Sequence, residues 1–141
     1  MSEEEDLKEA EEGFSEAGMS KWMVRQYIRT AKAKGAKGGA AFKTLVVMGQ
    51  VTKLSQLAEK AYYDKHTGEI KKEPDYERSE DLLNRCIRLI DNVATTFPES
   101  LTGLFPLKKK IMVQLLDVQY LRQGTVKTPE ELTAEVEASL K

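Results

Sequence analysis

Apolar positions recur along most of the chain at spacings of three and four, the period of an amphipathic helix. Between Ala41 and Tyr63 the residues Val47, Val51, Leu54, Ala58 and Ala61 form one stripe, widened by Phe42, Leu45, Met48 and Leu57. A band this broad suits contact with two neighbours, within the chain or in another subunit. Gly49 inside it suits a close helix approach. A second stripe, Leu83, Ile87, Ile90, Ala94 and Phe97, has Leu82, Cys86 and Val93 beside it. Ser79 is the expected N-cap of that helix, and Pro98 its end. Residues 64–78 show no period and hold turn chemistry, so the helices 41–63 and 79–97 read as an antiparallel hairpin with a long connecting loop.

The remaining elements are shorter. Residues 98–106 read as a short turn or a single helical turn ending at Pro106, and Leu107 to Arg122 as a helix with Ile111, Leu115 and Val118 inside, flanked by Met112 and Leu121. Gly124 stops it. Thr128-Pro129-Glu130-Glu131 has a cap, a proline at the first helical position and a Glu to close a capping box. Leu132, Val136 and Leu140 then line one side of a last helix. Near the N-terminus, Leu7, Ala10, Phe14 and Ala17 mark a short helix. Gly18 ends it. Ser20 caps the next, roughly Lys21 to Lys34, with Met23, Val24, Tyr27, Ile28 and Ala31 on one side. No run of residues favours strand, so the expected fold class is all-α.

At 141 residues the chain can bury a core without disulfide staples. Its one cysteine, Cys86, excludes an internal disulfide and suits a reducing compartment. The acidic start, MSEEEDLKEAEE, lacks the apolar run of a signal peptide, and no stretch is apolar enough to span a membrane. The expected location is cytoplasmic (host cytoplasm if the protein is viral), with no membrane partner.

Charge changes the picture more than composition does. The formal net charge is −1, yet from Ala17 to Ala58 there is no Asp or Glu and there are eight cations: Lys21, Arg25, Arg29, Lys32, Lys34, Lys37, Lys43 and Lys53. Residues 1–16 hold eight acidic side chains against Lys8 alone. Such segregation points to a polyanion, double-stranded DNA first, meeting the basic stretch. The acidic segment, folded over that stretch, would compete with the ligand.

Candidate chemistry adds little. GAKGGA at residues 35–40 lacks the Gly-Lys-Ser/Thr of a phosphate-binding loop and reads as a basic hinge. His66, the only histidine, has no cysteine near it and reads as a solvated loop residue. Cys86 lies on an apolar side and reads as core. No catalytic cluster, metal site, cofactor or small-molecule substrate is expected. Lys108, Lys109 and Lys110, placed at the start of the 107–122 helix, sit where the helix dipole disfavours cations. They read as an exposed solubilising turn, or as a second anion contact.

Ala17-Gly18-Met19-Ser20 between two short helices, with Val24, Tyr27 and Ile28 following, resembles the helix-turn-helix of bacterial and phage DNA-binding proteins. The likeness spans Ala10 to Arg29, with Gly13 and Phe14 departing from it. The resemblance implies that Ser20, Lys21, Trp22, Arg25, Gln26 and Arg29 face DNA. Arg suits guanine edges, Gln suits adenine, and Ser or Lys suits phosphates. Lys32, Lys34 and Lys37 would add phosphate contacts.

The organisation then reads as a helix-turn-helix-like module (1–34), a hinge (35–40), a helical body for oligomerisation (41–123) and a C-terminal helix (124–141). That order resembles the small terminase subunits of tailed phages. The resemblance implies a non-enzymatic role in genome packaging and a homo-oligomer whose ring contacts map to the hairpin stripes. It also implies a large terminase subunit as partner of the C-terminal helix. A dimeric transcriptional regulator, or a helical adaptor that binds proteins without nucleic acid, are the alternative readings.

Overall fold

The computed structural model describes residues 40–140 together with Trp22, Gln26 and Arg29. The described chain is all-α apart from one two-stranded ladder. Helix α1 spans Ala40–Lys60, α2 Tyr76–Thr96, α3 Leu101–Arg122 and α4 Pro129–Ser139. Strands β1 (Tyr63–Asp64) and β2 (Glu69–Ile70) pair antiparallel between α1 and α2, with Tyr63 opposite Ile70. The short helix near the N-terminus, its Gly18 turn, Ser20 and most of the hinge lie outside the described residues.

The first three helices run up, down and up. Cys86 on α2 faces Val51 on α1, while Tyr76 at the start of α2 meets Tyr62 just past the end of α1, ring centroids 5.9 Å apart. Those pairings make α1 and α2 antiparallel, as the hydrophobic pattern predicts. Between α2 and α3, Asp91 pairs with Lys108 and Glu80 with Arg122, which is again antiparallel. One core joins them: Val47, Val51, Leu54 and Ala58 from α1, Leu83, Cys86, Ile90 and Val93 from α2, Leu104, Ile111 and Val118 from α3. Its α1 row steps by four, three and four, so one face of the helix stays inward for three turns. That row is narrower than the predicted band: Leu57 is half-buried and Met48 is 39% exposed. Gly49 is buried, in keeping with its expected place, and α1 touches both α2 and α3.

Three predicted boundaries shift, each for a local reason. Helix α2 starts at Tyr76 because Asp75, directly after Pro74, caps it: its Oδ1 accepts from the Arg78 N–H at 3.0 Å. Ser79 is therefore no cap; it lies inside the helix on the buried stripe. Helix α1 ends at Lys60 because the chain turns into the β ribbon, where Gly68 takes φ +73° and Lys71 N–H donates to Tyr62 O at 2.9 Å. The predicted loop is thus largely ordered. The third shift is at Pro106, which does not end a turn. A 3₁₀ turn at Pro98–Ser100 leads straight into α3, and Pro106 lies within that helix, exposed. Leu104, assigned to a turn by its sequence, is consequently a fully buried core residue.

The C-terminal part follows its sequence closely. Gly124, at φ +81°, donates to Leu121 O at 3.0 Å, and Thr125 N–H donates to Tyr120 O at 2.9 Å. Those two bonds are the glycine-terminated helix end in which two orphan carbonyls are satisfied together. Thr128 and Glu131 form the reciprocal capping box, with Pro129 in the first turn of α4. Leu132 and Val136 are buried and α4 packs on α3, whereas Leu140 is 38% exposed.

Candidate nucleic-acid interface

Of the nine residues expected to face DNA, the structure describes three. Trp22, Gln26 and Arg29 are all helical. Trp22 is 69% exposed, Arg29 is exposed and Gln26 is half-covered. The indole presents a large apolar plane to solvent. Ser20, Lys21, Arg25, Lys32, Lys34 and Lys37 lie outside the described residues.

The cations farther along behave differently from their sequence reading. Because α3 starts at Leu101, Lys108, Lys109 and Lys110 lie well inside the helix rather than at its positive end. Lys108 Nζ donates to Asp91 Oδ1 at 2.8 Å, and Lys109 pairs with Glu137 on α4. Two of the three amines are thus already paired within the chain. Lys108 and Lys109 tie α3 to its neighbours on either side, while Lys110 stays exposed.

Burial is the first cause of the shifted protonation of Cys86, Tyr62 and Asp117. Cys86 is fully buried, and its thiol is pushed up to about 12 by loss of water. It is the core residue that its sequence position predicts. Tyr62, packed at the joint of α1 and the ribbon, rises to about 12, first by burial and then by the negative charge of Asp117. Burial also raises the Asp117 carboxyl above its ordinary range. His66 is exposed in the ribbon turn, as expected, and its backbone N–H donates to Asp64 Oδ1 at 2.8 Å. Among the described residues, no group of three His, Cys, Asp or Glu side chains could hold a metal ion. No described helix is long and apolar enough to cross a membrane.

A groove of about 450 Å³ runs along the outer side of α2, lined by Asp75, Glu77, Arg78, Asp81, Leu82, Arg85 and Arg88. Sequence reasoning passed over it because these residues are simply the polar side of an amphipathic helix. Three guanidiniums share it with three carboxylates, so the groove has no net charge to draw a polyanion. Comparison of the chain with protein-family models, with curated proteins and with solved structures finds no match.

Proposed function

We propose that the protein binds double-stranded DNA through the basic segment that precedes α1, and that the helical body carries that segment in a self-associating assembly. The carrying observation is the stretch from Ala17 to Ala58, with eight cations and no acid in a chain of net charge −1. A stretch of like charge repels itself, and that repulsion is relieved by phosphates. The helical conformation of Trp22, Gln26 and Arg29 supports the reading. Gln26 offers an amide suited to adenine, Arg29 a fork suited to guanine or phosphate, and Trp22 an apolar contact for a thymine methyl. Ser20, Lys21 and Arg25 extend the set, with Lys32, Lys34 and Lys37 following the backbone.

A single helix buries little surface on DNA, so such proteins multiply contacts by association. Within this reading the protein fills the role of a small terminase subunit, selecting the DNA that a large, nuclease-bearing partner packages. The test is binding to a short random duplex, read by anisotropy at about 50 and 200 mM salt. Roughly four phosphate contacts lower the affinity about 100-fold across that range. Arg25→Glu/Arg29→Glu should abolish binding at both. Salt-independent binding, or an undiminished variant, would count against this helix, and no binding by the intact chain at low salt would leave the adaptor reading.

A further inference from the structure

Helix α4 stands apart from the three-helix core. Among the described elements it touches α3 alone. Its two buried side chains, Leu132 and Val136, are one turn apart. Neither belongs to the apolar cluster that joins α1, α2 and α3. Two polar contacts add to them. The Tyr120 hydroxyl donates to Glu135, 2.8 Å from each carboxylate oxygen, and Lys109 Nζ donates to Glu137 Oε1. Both carboxylates are exposed, so water and salt screen these contacts. The helix needs little from α3 to form, because the capping box of Thr128 and Glu131 lies within α4 and its own cap. The connection between the two helices holds Gly124 at φ +81° and Val126, 82% exposed.

We propose that α4 is a strap that opens from α3 as one unit while the three-helix core stays folded, and that Lys109 and Tyr120 set how often it opens. A segment opens by itself when few buried apolar side chains hold it and they are separate from the main core. Leu132 and Val136 meet both conditions. Exposed ionic contacts contribute modestly, so those of Glu135 and Glu137 shift the balance between closed and open without fixing it. Opening leaves α3 intact, because the Gly124 and Thr125 N–H groups donate to the last carbonyls of α3 and not to α4. Closed, the strap occupies Lys109 with Glu137; open, it leaves that amine free next to the exposed Lys110. The strap therefore governs whether α3 offers one cation or two at these adjacent positions. The inference goes beyond the proposed function and does not depend on it.

The test is amide hydrogen exchange on the full chain, read residue by residue by NMR, for the wild type, Lys109→Gln/Tyr120→Phe and the control Lys110→Gln. All three substitutions lie on α3, so the helix propensity of α4 stays as it was. In the wild type the amides of Thr133 to Glu137 should exchange at least about 100-fold faster than those of Val51, Ile90 and Ile111, yet slower than in an unstructured chain. The paired variant should speed the α4 amides about 3- to 10-fold together and leave the core amides unchanged. The control should leave both sets unchanged. If the paired variant disturbs the core amides, Glu137→Gln replaces it with the same expected direction. Amides of α4 that exchange at the core rate overturn the proposal, because the four helices then open together. Amides of α4 as fast as those of an unstructured chain overturn it too, since no closed strap exists. Unchanged α4 rates in the variant, or a rise confined to the last turn, also overturn it, the latter as simple fraying. Duplex binding enters none of these readouts, so failure of the DNA reading leaves the strap standing, and the reverse holds as well.

Discussion

Ser79 illustrates how one side chain's neighbourhood outweighs its type. Serine beside Glu80 and Asp81 has the composition of a helix start. In the fold it lies one turn before Leu83 on the inward stripe of α2, fully buried, and its hydroxyl has no hydrogen-bond partner. A buried hydroxyl left unpaired gives up its water without compensation. Ser79→Ala should therefore raise stability by about 1 kcal/mol, read as a higher urea midpoint with an unchanged slope. Loss of stability would mean that the hydroxyl has a partner after all. Cys86 is the opposite case. It occupies the same stripe two turns on, where a small apolar side chain is what the site needs. Its role was readable from its flanking Leu83, Ile87 and Ile90 because type and position agree.

Among the elements, α3 departs most from its sequence reading, and Pro106 is the cause. A proline in a helix interior lacks one donor and crowds the carbonyl four residues back, so a boundary there was the natural inference. The helix nevertheless runs through it. The 3₁₀ turn at Pro98–Ser100 already sets the chain winding, Leu104 is locked into the core, and Pro106 itself is exposed, where the freed Thr102 carbonyl can meet water. Burial of Leu104 outweighs the local cost. Pro106→Ala restores the donor and should stabilise the protein by about 1–3 kcal/mol. A thermal melt checks the sign, and a lower midpoint would show that the proline is needed to set the angle of the first turn. The boundaries of α4 were legible by contrast, because the signals at Gly124 and Thr128 to Glu131 act within four residues and need no partner helix.

Across the whole molecule, apolar side chains divide into those the core consumes and those it leaves. Ile111 is fully enclosed between α1 and α2, and Ile111→Ala should cost about 2–5 kcal/mol through lost burial and a residual cavity. Leu101→Ala, on the open face of the same helix, should cost under about 0.5 kcal/mol at concentrations where the chain is monomeric. Chemical denaturation of both variants checks the division; equal costs would mean that Leu101 is buried in the folded protomer. One polar contact fixes how α1 and α3 meet. Ser55 donates to Gln114 Oε1 at 2.7 Å, and Gln114 returns a bond to the Ser55 carbonyl at 3.1 Å. A reciprocal pair amid apolar neighbours is satisfied at one register and orphaned at any other, so it selects that register. Two polar residues 59 positions apart give no sign of this in the sequence.

The all-α class, the α1–α2 hairpin, the caps of α4 and the segregation of charge before α1 follow from the sequence alone. Each depends on short-range periodicity, on capping chemistry or on simple charge counting. The helical conformation of Trp22, Gln26 and Arg29 belongs to the same set, since it was expected from their place in a periodic segment. Tertiary structure alone decided that Ser79 is interior, that Pro106 lies within a helix and that Lys108 and Lys109 are already paired. It also decided that Val51, Ala58, Leu83 and Ile90 are fully buried, while Leu101 and Phe105 are among the apolar side chains left exposed. The physical reason is common to all of these. An amphipathic pattern states that a face must be covered, while which element covers it depends on how the competing apolar and charged faces are matched when the helices pack together.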